Sequence, residues 1–157
     1  MTAVRLSLAG LRHHPVLLAG VASAELVARL APFFDVEVAA DIETWDPEEL
    51  RTRLAGKSAL LDACGIAVEA QLLATLPHLK AICRIGSSAA ALDLDACTRA
   101  GIIVTNTFDA ADDEAGHRNM SLTAADNLIA AFGFGRHAGH PTNMLNPELR
   151  CVLGCCL

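Results

Sequence analysis

The sequence lacks an uncharged apolar run of the eighteen or so residues that a membrane-spanning helix needs. The longest candidate, Pro15 to Phe34, contains the charged residues Glu25 and Arg29. Excess positive charge is also missing, because 12 Lys and Arg against 18 Asp and Glu give a formal net charge of −6. These absences argue against a membrane partner and against nucleic-acid binding through phosphate neutralisation.

The chain is nevertheless rich in residues that form a core. Hydrophobic residues make up 53% of the 157 residues and charged residues only 19%, which argues against wholesale disorder. That length accommodates one domain and barely the start of a second. We therefore expect a small, acidic, soluble domain.

The N-terminal region allows two interpretations. Two basic residues, Arg5 and Arg12, precede an apolar stretch that ends in Ala22-Ser23-Ala24, as in a secretory signal peptide with its cleavage site. The alternative is a strand over Pro15–Ala19 that leads into a helix. We favour the strand because two histidines stand directly before the apolar run, and we expect a cytoplasmic protein.

The six cysteines could form three disulfides in an exported protein. Three of them lie within apolar or helical stretches and are predicted to be small buried hydrophobes instead: Cys64, Cys83 and Cys97. A zinc site is a weaker alternative that would use His137, His140, Cys151 and Cys155. Their order matches no familiar zinc pattern, and the segment after Cys151 has the composition of a short buried strand. We predict no metal site.

From residue 15 onward, short apolar runs alternate with helical patterns. The runs predict five strands: Val16–Ala19, Val36–Ala40, Ser58–Leu61, Ala81–Ile85 and Ile102–Thr105. Four helices are predicted between them: Ser23–Leu30, Pro47 to about Gly56, Val68–Leu76 and Leu94–Ala100. Strand–helix alternation with short loops is typical of right-handed βαβ crossovers. The predicted fold class is therefore α/β, a flavodoxin-like doubly wound parallel sheet of about five strands.

Beyond Thr107 the pattern degrades. Asp112, Asp113 and Glu114 have the character of a first helical turn, but Gly116 and Asn119 are poor helix formers. We expect a shortened or broken helix here, followed by an irregular C-terminal extension rich in glycine, proline and asparagine. Together with Asp109, the same acidic residues could also suggest a divalent-metal site, and the helix start is the preferred interpretation.

The most promising chemistry lies at the carboxyl ends of the predicted strands, where ligands bind in open α/β sheets. Gly65 follows the third strand, and Gly86, Ser87 and Ser88 follow the fourth. Glycines expose backbone N–H groups, and the two serines add hydroxyls, so these loops could hold a carboxylate or phosphate. The alternative is a plain strand-to-helix turn. A second glycine-rich stretch, Gly133 to Gly139, has the wrong spacing for a dinucleotide fingerprint.

Three segments bear a resemblance to a known family. They read LPHLKAICRIG from Leu76 to Gly86, LDLDA from Leu92 to Ala96, and RAGIIVTNT from Arg99 to Thr107. This resembles the N-terminal substrate domain of the D-isomer-specific 2-hydroxyacid dehydrogenases, which include glyoxylate/hydroxypyruvate reductases, phosphoglycerate dehydrogenase and formate dehydrogenase. The likeness runs from about Pro15 to Asp113 and continues more faintly to the end of the chain.

The resemblance implies a flavodoxin-like domain whose loops after strands three and four hold the substrate carboxylate through backbone amides. Those loops correspond here to Gly65 and to Gly86, Ser87 and Ser88. It also implies NAD or NADP as cofactor, a small 2-keto or 2-hydroxy acid as substrate, and a homodimer, which is common in the family.

The sequence departs from the family pattern at several positions. Ser88 replaces a glycine, Ala90 stands at an acidic position, and Phe108 replaces the proline of the Thr-Pro pair. Asp112 falls where the family places a cofactor-contacting threonine, so the resemblance implies a cofactor contact at Asp112 with a different side chain. The catalytic Arg, Glu and His of the family have no counterpart here, and no Gly-x-Gly-x-x-Gly occurs.

These observations predict a substrate domain over residues 1–113, a degraded linking helix and loop over 114–148, and the start of a nucleotide-binding domain at 149–157. The expected activity is NAD(P)-dependent reduction of 2-keto acids to D-2-hydroxy acids, in a truncated form that is inactive alone. The alternative is a non-catalytic domain that binds a small carboxylate or pairs with an intact subunit.

Overall fold

Five parallel strands form one sheet in the computed structural model, which describes residues 13–86, 92–107, 113–135 and 138–149. The strands are β1 (His14–Ala19), β2 (Phe34–Ala39), β3 (Ala59–Asp62), β4 (Ala81–Ile85) and β5 (Ile103–Thr107). Their order in the sheet is β2-β1-β3-β4-β5, which is the flavodoxin-like order. The predicted α/β class and strand number are confirmed.

Helices connect the strands: α1 (Ala24–Leu30), α2 (Pro47–Leu54), α3 (Ala70–Leu73), α4 (Leu94–Arg99) and α5 (Glu114–Ala131), with a 3₁₀ turn at Ile42–Thr44. Local sequence sets several of their starts. The Ser23 hydroxyl accepts the N–H of Leu26 at 3.1 Å, and the Asp46 carboxylate accepts the N–H of Glu49 at 2.7 Å. Such caps satisfy backbone donors that the first turn leaves free.

The sheet carries a hydrophobic layer on each face, because side chains alternate along each strand. In β1, Val16 and Leu18 face the layer covered by α1 and α5, whereas Leu17 and Ala19 face the layer covered by α2, α3 and α4. All four residues are fully buried. Burial on both faces explains the continuous apolar runs in the sequence, and each buried leucine contributes about 1.5–3 kcal/mol to stability.

Helix α5 contradicts the predicted broken helix. It is continuous over 18 residues, through both Gly116 and Asn119. Small buried side chains, including Ala124 and Ala125, let it pack closely on β4, β5 and α1. Packing of this kind overrides the modest cost of a glycine in a helix, about 1 kcal/mol. Asp113, which directly precedes α5, does start the helix, since its carboxylate accepts the N–H of Gly116 at 2.8 Å.

Helix α3 is shorter than the predicted Val68–Leu76 at both ends. At its start Val68 forms a parallel bridge with Leu92, and at its end a turn follows Leu73. The segment after α5 returns to β5, where Met144 forms an antiparallel bridge with Thr105. The buried Asn146 holds the segment there: its Oδ1 accepts the N–H of Val104 at 2.9 Å. No helix among the described residues is long and apolar enough to cross a membrane. The strand expected from Val152 onward lies outside the described residues.

Candidate functional site

The carboxyl ends of β3 and β4 lie side by side, with Asp62 opposite Arg84 in the strand register. The loop after β3 contains Gly65, and β4 is followed directly by Gly86. Both glycines have positive φ, +72° and +97°, a conformation that other residues adopt at a cost. The sheet therefore brings the two predicted loops together at one edge.

The loop after β3 is organised by a carboxylate that the sequence analysis did not single out. Asp62 is buried, and its Oδ1 accepts the N–H groups of Cys64 and Gly65, both at 2.9 Å. Its Oδ2 accepts the N–H of Ile66 at 2.8 Å. Three consecutive amides thus converge on one carboxylate, in the arrangement by which backbone nests bind anions. We call residues 62–66 the Asp62 loop.

Arg84 provides the positive charge that balances this buried carboxylate. Its Nε lies 3.5 Å from Asp62 Oδ2, and the two side chains are 4% and 0% exposed. The Nη2 group of Arg84 also donates a hydrogen bond to the carbonyl oxygen of Ile66. Arg84 therefore fixes both the charge and the path of the Asp62 loop.

The start of the second loop is tied to β5. The buried Thr107 hydroxyl donates to the carbonyl oxygen of Arg84 at 3.1 Å, and the N–H of Gly86 lies 3.4 Å from the same hydroxyl oxygen. At that length the contact to Gly86 is weak. The loop that begins at Gly86 thus leaves the sheet from a fixed point, beside the Asp62 loop.

The predicted substrate-binding residues fall into two groups. Gly65 and Gly86 lie at the expected edge of the sheet, although the N–H of Gly65 is already bonded to Asp62. Ser87, Ser88 and the predicted cofactor contact Asp112 lie outside the described residues. Their roles stay predictions. The Asp-to-amide pattern over two to four residues is the one signal by which the sequence could have revealed Asp62.

Cys64 departs from its predicted burial. Its side chain is exposed, whereas Cys83 and Cys97 are buried as expected. Partial burial, with the negative charges of Asp62 and Glu43, raises the pKa of the Cys64 thiol. Burial raises the pKa of Cys83 to about 12 and that of Cys97 to about 11. Thiolates are the reactive form, so none of the three is set up as a nucleophile at neutral pH.

Metal and nucleotide sites have little support within the described ranges. No group of three or more His, Cys, Asp or Glu side chains in them could hold a metal ion. Of the four proposed zinc ligands, only His140 belongs to those ranges. The stretch Gly133–Gly139 follows the end of helix α5 rather than a strand, so it lacks the context of a dinucleotide fingerprint. The described residues therefore contain no strand–Gly-x-Gly-x-x-Gly–helix fingerprint for NAD or NADP.

A groove of about 610 Å³ lies next to the Asp62 loop. Ile66 and Ala67 form part of its wall, and Trp45, Leu50 and Leu72 supply much of its apolar lining. Gly65 and Gly86 are not among its lining residues. The groove therefore adds an apolar surface beside the Asp62 loop, and Ile66 belongs to both.

The fold and its edge define the class: a doubly wound α/β domain with two loops at the carboxyl edge of its sheet. The family model for the catalytic domain of D-isomer specific 2-hydroxyacid dehydrogenases matches residues 16–140. Since this match spans more than half of the chain, the chain belongs to the D-isomer specific 2-hydroxyacid dehydrogenase family. No curated protein matches the sequence.

Solved structures share the fold. The TT0316 protein from Thermus thermophilus is 25% identical with a TM-score of 0.54; the match covers 76% of this chain and 36% of that protein. The PH0520 protein from Pyrococcus horikoshii is 19% identical with a TM-score of 0.56, over 78% and 32%. An NAD⁺-bound 3-phosphoglycerate dehydrogenase from Entamoeba histolytica is 14% identical with a TM-score of 0.53, over 61% and 33%. The match thus spans about a third of each of these proteins.

Proposed function

We propose that this chain is a substrate domain of the D-2-hydroxyacid dehydrogenase type, which holds the carboxylate of a small 2-keto or 2-hydroxy acid. The observation that carries the proposal is the pairing of β3 with β4, which sets the loops at Gly65 and Gly86 next to each other in a chain of this family. Amides at such an edge bind anions without charged side chains.

The two loops have different roles in this proposal. The amides of Cys64, Gly65 and Ile66 are bonded to the Asp62 carboxylate, so the Asp62 loop forms a rigid wall. The loop that begins at Gly86 is the principal donor, with the amides and hydroxyls of Ser87 and Ser88. We therefore propose that the substrate carboxylate binds nearer to β4 than to β3.

Catalysis requires more than this domain. Reduction of a 2-keto acid adds a hydride to the carbonyl carbon and a proton to its oxygen, which takes a positioned nicotinamide and an acid. The sequence has no Gly-x-Gly-x-x-Gly with which to hold such a cofactor. We infer that the 157-residue chain alone does not turn over substrate. The cytoplasm is the proposed location, in line with the unpaired thiols of the three described cysteines.

Calorimetric titration of the chain with glyoxylate and hydroxypyruvate tests the binding. The variant with Ser87→Pro and Ser88→Pro removes two amide donors and should lose binding. The matched variant with Ser87→Ala and Ser88→Ala keeps both amides and should retain most of the affinity. Unchanged binding in the proline variant would refute the loop assignment.

A second assay addresses turnover. The purified chain is mixed with NADH and either keto acid, and the absorbance of NADH is followed with time. We expect no oxidation above the rate without protein. Robust NADH oxidation by the chain alone would contradict the inference that it lacks catalysis.

A further inference from the structure

A second cavity lies at the amino edge of the sheet, opposite to the candidate substrate loops. Its volume is about 490 Å³, within the range of small-molecule sites. Strand starts provide one side, with His14 at the beginning of β1, Lys80 just before β4, and Ile103 at the beginning of β5. The other side is formed by the end of α5 and by the chain that follows it, with Phe132 and Gly139 among the lining residues. We call it the amino-edge pocket.

The charge of this pocket is unusual for an acidic protein. Among the described residues that line the pocket, Lys80 is the one with a formal charge, in a chain whose net charge is −6. Lys80 is exposed and, within the described residues, its ammonium group forms no ion pair or hydrogen bond. The other lysine, Lys57, is held by Glu37 at 2.7 Å. The described part of the pocket thus presents an exposed cation that has no protein partner there.

The end of helix α5 does not provide an internal partner for this cation. The carbonyl oxygen of Ala130 accepts the N–H groups of Gly133 and Gly139, at 3.0 and 2.7 Å. That of Ile129 accepts the N–H of Phe134 at 3.0 Å. Carbonyls at a helix C-terminus otherwise attract lysine, so this capping leaves Lys80 available for an external anion.

The other described side chains that line the pocket are mostly apolar or aromatic. Ile103 and Ala131 are buried in its floor. The rings of His14 and Phe132 lie 4.7 Å apart between centroids and form an aromatic wall. Flat apolar groups pack well against such a wall. An apolar floor, an aromatic wall and one free cation together fit a ligand with a planar apolar body and an anionic group.

We propose that the amino-edge pocket binds an aromatic or similarly planar carboxylate, with the anionic group at Lys80 and the apolar body against Phe132 and His14. This site is separate from the proposed substrate loops, because it lies at the opposite ends of the same strands. It does not depend on the proposed function.

The probe is 2-naphthoate, and its neutral counterpart is 2-naphthamide. In a ¹⁵N NMR titration of the full chain, 2-naphthoate should shift the amide signals of Ile103, Phe132 and Gly133. The neutral amide should bind about tenfold more weakly or worse, because it loses a charged hydrogen bond. Equal binding of the two probes, or binding of neither, would overturn the proposal.

Two variants localise the effect. Lys80→Met should weaken 2-naphthoate binding by about tenfold or more and leave 2-naphthamide unchanged. Arg51→Met changes the net charge equally at an exposed position on α2 and should leave both unchanged. Ala138→Trp, at an exposed lining position, should block both probes.

The same spectra separate this site from the substrate loops. Shifts centred on Gly86 that persist in Lys80→Met would place the probe at the carboxyl edge. That outcome would refute the amino-edge pocket as an anion site while leaving the proposed function standing. If the chain does not bind the keto acids but 2-naphthoate still shifts the amide signal of Ile103, the proposed function is refuted and the amino-edge pocket stands.

Discussion

Replacement of Asp62 by alanine removes one carboxylate on which three backbone amides and an arginine converge. The variant leaves the amides of Cys64, Gly65 and Ile66 without their acceptor, and it removes the carboxylate that lies 3.5 Å from Nε of the 4%-exposed Arg84 side chain. Loss of one partner of a buried ion pair costs about 3–5 kcal/mol. We expect Asp62→Ala to lower the free energy of unfolding by about that amount, a large share of the roughly 5–15 kcal/mol typical of a domain.

Urea unfolding at pH 7, followed by far-UV circular dichroism, measures the loss. Asp95→Ala is the matched control, since Asp95 is an exposed aspartate in the first turn of α4. It should change the stability by less than about 1 kcal/mol. Adding Arg84→Met to Asp62→Ala removes the stranded charge and should recover part of the loss.

Formate provides a direct test of the geometry. In Asp62→Ala the three amides and Arg84 remain as a built anion site, so formate should restore stability as its concentration rises. Wild-type protein and Asp95→Ala should show no such gain beyond that caused by an equal concentration of chloride. A loss below about 1 kcal/mol for Asp62→Ala with an unchanged denaturant slope would refute the reasoning, as would an absence of formate rescue.

Two further predictions concern titrating groups. The first uses iodoacetamide at pH 8, with peptide mass mapping of the labelled cysteines. The exposed Cys64 should react first, but more slowly than a free thiol because the pKa of its thiol is raised. Cys83 and Cys97 are buried and should react only on unfolding. Prior or equal labelling of Cys83 would contradict this. The second concerns Glu37, whose pKa is lowered by the hydrogen bond from Lys57. The ionised Glu37 therefore stabilises the fold above the ordinary glutamate pKa, and this stabilisation is lost as the pH falls through the lowered pKa. Melting curves of wild type and Glu37→Gln should therefore differ at pH 7 and converge toward pH 3, and a constant difference would exclude the pairing.

The fold was largely predictable because apolar runs and turn residues agree with it. The run Ala81–Ile85 is bounded by Lys80 and Gly86, and β4 has these limits. Helix α5 was not predictable from its own residues, since Gly116 and Asn119 are poor helix formers. What stabilises it is contact with β4, β5 and α1, and two of these, β4 and α1, are distant in sequence. Local helix propensity therefore gave a wrong prediction where tertiary packing determines the structure.

The candidate site was predictable in place but not in detail. Gly65 and Gly86 were located by the rule that ligands bind at the carboxyl ends of parallel strands. The capture of the Gly65 amide by Asp62 depends on the partner strand, since a buried aspartate needs the charge of Arg84. The sequence of one strand does not reveal which strand lies beside it in the sheet. Cys64 was misjudged for a related reason: it lies just past the strand, where the chain turns outward.

The return of the chain to β5 has a consequence for the behaviour of the protein at high concentration. Strand β5 is the last strand on its side of the sheet, and an open edge strand invites pairing with other molecules. The backbone around Met144 occupies part of that edge: Leu145 N–H donates to Val104 and Asn106 N–H donates to Asn143, at 2.9 and 3.3 Å. The short antiparallel segment therefore hinders pairing of β5 with the edge strand of another molecule, and Asn146 holds this segment on β5.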